Sequence, residues 1–177
     1  MPQTNGEVVG TSSQVEKVEW DEIKDGTPEK FEPAIAGLFD LAQKEVVMLT
    51  DFYAPFYNRP RVKESVEKAA NRVETFYVVL DSHVDVERLR TEVPWLFANE
   101  KVGIGKSDHP VPHWMMMDRK HFRFEKPHPP NEPGKSNLII KNADLDEGLA
   151  PFVCKTVAVI TDAWEDAEVV KSAAAQS

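Results

Sequence analysis

The stretch PHWMMMDRKHFRFEKPH, from Pro112 to His128, holds three histidines, an arginine, a glutamate and a lysine-bearing turn, interleaved with methionines and phenylalanines. An imidazole that titrates near neutral pH can attack as a nucleophile, shuttle a proton or bind a metal. His109 brings a fourth histidine within twenty residues of His128. A His-x-x-x-His pair aligns both rings only in a helix, and Pro110 and Pro112 forbid a helix between His109 and His113. No single regular element aligns three ligands, so the expectation is loop histidines with no metal and no cofactor.

The period of a strand sorts the remaining residues. WMMMD and HFRFE, separated by the polar turn Arg119-Lys120, read as an antiparallel hairpin. His113, Met115 and Met117 then share one face of its first strand. On the second strand His121, Arg123 and Glu125 share a face, and Phe122 and Phe124 take the other. The Phe face needs burial. The His-Arg-Glu face either lines a cleft or meets solvent, and a solvated Arg-Glu pair is the commoner outcome for such neighbours.

One other motif invites a functional reading. GIGKS, Gly103 to Ser107, ends like a phosphate-binding loop, but Glu100 stands where the first glycine belongs, and Asp108-His109-Pro110 replaces the helix N-terminus that should follow. Its glycines are read as strand-end and turn residues.

The elements that must position these side chains follow from hydrophobic spacing. Thr27-Pro28 caps a helix that ends near Lys44, with Ile35, Leu38, Phe39 and Ala42 on its apolar face. Glu45 to Phe52 and Thr75 to Leu80 are continuous apolar runs too short for helices, hence buried strands, the second ending at Asp81. The helix carrying Val62, Val66, Ala69 and Ala70 joins them into a strand-helix-strand unit, whose right-handed crossover makes a parallel pair. A third helix, Val84 to Phe97, breaks at Pro94 and precedes a strand over Lys101 to Gly105. After the hairpin, KPHPPNEPGKS is an irregular loop, Asn137 to Lys141 returns to the sheet, and a last helix spans Asp144 to Lys171, burying Phe152, Thr156, Val159, Ile160, Ala163, Trp164 and Ala167. The fold class is α/β, a mixed β-sheet flanked by helices. Residues 1–26 read as a mobile leader with one docked strand near Val15 to Trp20, residues 27–172 as the domain, and residues 173–177 as a disordered tail.

Composition narrows the function classes. Twenty-one basic against thirty acidic residues among 177 give a formal charge of −9, which excludes broad, backbone-gripping nucleic-acid binding. The one cysteine, Cys154, rules out an internal disulfide and a multi-cysteine zinc site. With no apolar run of about 18 residues and no signal-peptide pattern, the expected location is cytoplasmic.

From Pro28 to Lys171 the order of elements resembles one half of the phospholipase D superfamily: EVVMLTDF, the crossover to TFYVVLD, KVGIG, the hairpin WMMMDRKHFRFE, NLIIKN and the closing helix FVCKTVAVITDAWEDAEVV. Active members of that superfamily carry His-x-Lys-x-x-x-x-Asp on the strand that WMMMD would occupy, the histidine attacking phosphorus and the lysine binding phosphate. Two alignments compete. With His113 as the histidine, Met115 takes the lysine position and Lys120 the aspartate position. With Asp118 as the aspartate, His113 takes the lysine position and Val111 the histidine position. Either way a required group is absent.

The resemblance implies a phospholipase D-like half-domain that is catalytically inactive and serves in binding or regulation. His113, His121, Arg123, Glu125 and His128 would line its cleft, and the ligand would be anionic, phosphate-containing or a protein partner. It also implies a homodimer, since members pair two half-domains. The alternatives are a divergent phosphodiesterase or nuclease, in which His113 attacks and Lys120 or Arg123 replaces the lysine, and an assembly scaffold that binds through FYAPFYNRP.

Overall fold

EVVMLT and TFYVVL have no polar face, and in the computed structural model they lie side by side at the centre of the sheet. The structure describes residues 16–174 except Asp25 and Asn131. In chain order the elements are β1 (Glu19–Ile23), α1 (Pro28–Leu41), β2 (Glu45–Thr50), α2 (Ala54–Tyr57), α3 (Pro60–Arg72), β3 (Thr75–Leu80), α4 (Val86–Glu92) and α5 (Pro94–Ala98). There follow β4 (Val102–Lys106), β5 (Trp114–Met117), β6 (His121–Glu125), β7 (Asn137–Lys141), two 3-10 turns, α6 (Ala150–Glu165) and β8 (Glu168–Lys171). The eight strands form one sheet in the order β1-β7-β6-β5-β2-β3-β4-β8. Only β2, β3 and β4 run parallel, and every other pairing is antiparallel. The mixed α/β sheet expected from the sequence is therefore present.

Alternation along the strands divides the core into two layers. Val46, Met48, Val78, Leu80, Met115 and Met117 pack with α1, α3, α4 and α5 on one face. Val47, Leu49, Val79, Met116, Phe122 and Ile140 face α6 on the other. Met116 and Phe122 are fully buried there, each contributing about 1.5–3 kcal/mol of apolar burial. The expected hairpin faces hold, because Met115 pairs with Arg123 and Met116 with Phe122.

The hairpin turn itself sits one residue earlier than expected. Asp118 and Arg119 are its central pair, both left-handed with φ 54° and 57°, and the Lys120 N–H donates to the Met117 carbonyl at 3.1 Å. Paired positive φ values define the turn whose twist suits a two-residue hairpin, and aspartate tolerates that region better than most residues. The Asp118 carboxylate also accepts the backbone N–H groups of Gln43, Lys44 and Glu45 at 2.7–2.9 Å, tying the turn to the start of β2.

The C-terminal region departs most from expectation. The last helix does not run from Asp144 to Lys171. Two 3-10 turns precede α6, which ends at Glu165, and β8 then adds to the edge of the sheet beside β4. Of the residues expected to be buried on that helix, Thr156 and Ile160 are, while Phe152 is 39% exposed and Trp164 is half-buried. Trp164 stacks on Tyr77 with ring centroids 3.8 Å apart. A Cβ on Gly103 would come within 2.6 Å of the Tyr77 ring and 3.4 Å of Trp164. Gly103 and Gly105 are thus mid-strand residues that admit the aromatic stack, not turn residues.

The docked strand near the N-terminus is found at Glu19–Ile23, paired with β7, so the end of the expected leader belongs to the sheet. The remainder of the leader before residue 16, and residues 175–177 of the expected tail, lie outside the described residues. No helix among the described residues is long and apolar enough to cross a membrane.

Candidate functional site

A strand buried on both faces leaves its first polar residue at its carboxyl end, and in an open sheet with parallel strands ligands bind beyond those ends, where the strand direction changes. Here that place is β2, parallel to β3 on one side and antiparallel to β5 on the other. Asp51 follows β2 and Asp81 follows β3, while His113 precedes β5 and so arrives at the same end of the sheet. Glu125 closes β6, and His128 lies three residues beyond it.

These side chains interlock. The His113 Nε2 lies 3.4 Å from the Asp81 carboxylate, and its Nδ1 is 3.0 Å from the His128 Nε2. The His128 Nδ1 is 3.1 Å from the Pro129 carbonyl. The Glu125 Oε2 stands 3.7 Å from both His113 Nδ1 and His128 Nε2, and its Oε1 receives Arg123 Nη2 at 2.8 Å. Arg123 Nε donates to the Asn137 Oδ1. Asp51 places a carboxylate oxygen within 4.8 Å of a ring nitrogen of each histidine.

Burial sets the electrostatics. It pushes the Asp51 carboxyl up, against the pull of His113 and His128. It would do the same to Glu125, but Arg123 and His128 outweigh it and hold that carboxyl low. At Asp81, burial is offset by the Ser82 hydroxyl, His83 and the Val111 N–H, and the carboxyl is likewise held low. The Glu125 carboxylate raises His128 to about 9. The facing nitrogens, His113 Nδ1 and His128 Nε2, are close enough to share one hydrogen bond. Burial pushes the Tyr57 phenol well up.

Two hollows open on this cluster. One is bounded by Thr50, Asp51, Tyr57, Arg123, Glu125 and His128. The other, of about 620 Å³, lies between the segment from Asp51 to Pro55 and α4, with His83, Asp85 and Arg88 on its walls. Asp51 and Tyr53 border both. Phe52, between them, adopts φ 48°, a strained value for a bulky residue, and is held there by its N–H bond to Thr50 Oγ1 at 2.8 Å and by stacking on Tyr57 at 4.1 Å. The proline-rich loop folds back over the cluster: a Cβ on Gly134 would come within 1.6 Å of the Glu125 carboxylate, so only glycine lets the chain pass.

Of the five ligand residues expected from the sequence, the structure brings His113, Arg123, Glu125 and His128 together. Arg123 is 6% exposed, so it and Glu125 are not a solvated pair. His121 lies at the opposite end of β6, buried, with its Nδ1 accepting the Asn142 N–H at 3.1 Å. Burial lowers its pKa, which suits a neutral structural ring. Lys120, in the hairpin turn, is also at the far end of the strand from His113. His109 is 83% exposed and outside the cluster. In the aromatic loop Phe52, Ala54 and Tyr57 are buried, Tyr53 and Phe56 are half-buried, and Pro55, Asn58 and Pro60 are exposed.

Asp51 and Asp81 were missed in the sequence. Their signal was there, each being the first acid beyond the carboxyl end of a strand with an apolar interior.

No known family's sequence profile and no curated protein matches the chain. Solved structures do. NucT from Helicobacter pylori superposes with a TM-score of 0.61 over 86% of this chain and 99% of its own, at 7% identity. The phosphatidylserine synthase of Haemophilus influenzae Rd KW20 matches with a TM-score of 0.53 over 88% of this chain and 40% of its own, at 13% identity. The fold is phospholipase D-like. TrmBL2, an archaeal chromatin protein with a novel mode of DNA binding, also matches, with a TM-score of 0.59 over 88% of this chain at 18% identity. The present chain spans 55% of the TrmBL2 chain. At these identities the likeness extends to the fold alone.

Proposed function

We propose that the chain is a phospholipase D-like binding module without histidine-nucleophile phosphodiester chemistry, and that its cleft receives a small ligand supplying positive charge or hydrogen-bond donors. One observation carries the reading: the cluster holds three carboxylates, Asp51, Asp81 and Glu125, and neither of its cationic groups is free, since Arg123 is bound to Glu125 and Asn137 and both nitrogens of His128 are engaged, by His113 and the Pro129 carbonyl. A phosphoryl transition state needs free cationic donors aimed at its oxygens. The lysine that would supply one is replaced. Asp118, which ties the hairpin turn to β2, favours the alignment that puts His113 at the lysine position and Val111 at the histidine position.

The same charge balance argues against the anionic ligand suggested by the resemblance. It also weakens the phosphodiesterase alternative, because Lys120 is remote from His113. The scaffold alternative loses Phe52 and Tyr57, which are buried, and would rest on the half-buried Tyr53 and Phe56. The test is direct. Bis(p-nitrophenyl) phosphate and single-stranded DNA should show no His113-dependent hydrolysis, and phosphate or sulfate at millimolar concentration should not raise the melting temperature. Metal-independent turnover abolished by His113→Ala would overturn the proposal.

A further inference from the structure

We propose that Asp51, His113 and His128 form a site for one borderline divalent cation of the zinc type. The inference deepens the reading of the same cleft, since a cation is one ligand that brings positive charge to it.

Geometry carries it. Each of the three residues offers one donor atom, and these atoms all lie within 4.8 Å of one another. The outer ring nitrogens are engaged, His113 Nε2 by Asp81 at 3.4 Å and His128 Nδ1 by the Pro129 carbonyl at 3.1 Å. That leaves His113 Nδ1 and His128 Nε2 turned inward, 3.0 Å apart. Two imidazole nitrogens on one tetrahedral zinc stand about 3.3 Å apart, so little adjustment is needed. A carboxylate and a backbone carbonyl behind the ligating imidazoles are the outer partners that such sites use to fix ring orientation. Glu125 Oε2, 3.7 Å from both inward nitrogens, is placed to become a fourth donor.

Charge and chemistry agree. A cation at this place displaces the proton from the His128 Nε2; the three carboxylates of the cluster then face the single positive charge of Arg123, an excess that a divalent ion would cancel. Two imidazoles with one or two carboxylates suit zinc, cobalt or ferrous iron, whereas magnesium and calcium prefer oxygen donors throughout. Asp51 also borders the larger hollow, so a coordination position on that side would be open to a small molecule.

The experiment uses the full chain, stripped with a chelator and then titrated calorimetrically with Zn²⁺ alone near neutral pH. One saturable site is expected, with no comparable binding of Mg²⁺ or Ca²⁺. Asp51→Asn and His128→Gln should each weaken binding at least tenfold, as should His113→Ala. Asp81→Asn should weaken it by about 10–100-fold through loss of ring orientation. His109→Ala, with its exposed ring, should bind like the parent. Co²⁺ should give visible ligand-field bands without the thiolate charge transfer that Cys154 would produce. Circular dichroism identifies any variant that has not folded, and the remaining variants then decide. No saturable Zn²⁺ binding, or binding indifferent to the Asp51 and His128 substitutions, would overturn the proposal. That failure is separable from failure of the binding-module reading, which only His113-dependent, metal-independent hydrolysis or anion binding would reveal.

Discussion

The Nδ1 of His113 and the Nε2 of His128 lie 3.0 Å apart, although fifteen residues and a strand reversal separate them in the chain. They meet because β6 carries the chain back alongside β5, and because Gly134 lets the proline-rich loop close tightly over Glu125. Both rings are thereby held at the carboxyl end of β2, beside Asp51.

The Arg123–Glu125 pair is enclosed, each side chain being 8% exposed. Removing one partner strands the other charge in a poorly solvated place. Arg123→Ala should therefore cost about 3–5 kcal/mol in urea unfolding, whereas an Arg123→Met, Glu125→Leu double substitution should cost much less. Equal losses in the two proteins would show that the pair is freely hydrated.

Asp118 accepts three backbone N–H groups through one carboxylate. Asp118→Ala loses all three and also places a less tolerant residue at φ 54°. We expect a loss of about 2–4 kcal/mol, with Asp118→Asn retaining more than half of it. Chemical denaturation measures both, and an Ala variant within about 0.5 kcal/mol of wild type would contradict this account of the turn.

Gly103→Ala would press a methyl group into the Tyr77–Trp164 stack. The expected cost is about 1–3 kcal/mol, accompanied by a red shift of tryptophan emission as the stack opens. Trp164→Ala should cost about 2–3 kcal/mol, below the usual range for a fully buried tryptophan, because Trp164 is only half-buried. Unchanged emission in Gly103→Ala would mean that the sheet yields instead.

His121 is the clearest source of acid sensitivity. Burial first, then Lys120 and Lys141, lower its pKa from 6.5, while Asp118 and Asp144 pull the other way. The unfolded chain thus binds the proton more readily than the folded one. The stability this ring contributes is present above about pH 6.5 and is lost as pH falls through the lower folded value. His121→Asn keeps an acceptor for the Asn142 N–H without the titration, so its urea midpoint should fall less steeply between about pH 7 and pH 5 than that of wild type. Parallel slopes would assign the acid sensitivity to other groups.

Much of the fold was legible from local patterns. The bounds of β3 and β7 follow directly from TFYVVL and NLIIK, since a short apolar run closed by polar residues has one reasonable fate in an α/β chain. The end of α6 was not legible, because Ala163, Ala167 and Val170 continue a helical spacing that Val169 and Lys171 use instead to pair with β4. Within the site, alternation gave the correct face for Arg123 and Glu125. It could not say that the sheet buries His121 at one end while opening a cleft at the other, nor that two acids from β2 and β3 would complete the cluster. Those facts depend on strand order, which no local window contains.

On the alignment proposed here, the member of the superfamily motif that this chain retains is Asp118, whose observed work is to fasten a hairpin turn to the first central strand. The same alignment sets Val111 and His113 at the positions of its two chemical companions. What Asp118 does in this chain is mechanical and needs neither companion: its carboxylate accepts the N–H groups of Gln43, Lys44 and Glu45. The turn and the opening of the first central strand are thus one mechanical unit, and a change at Asp118 would be felt at both.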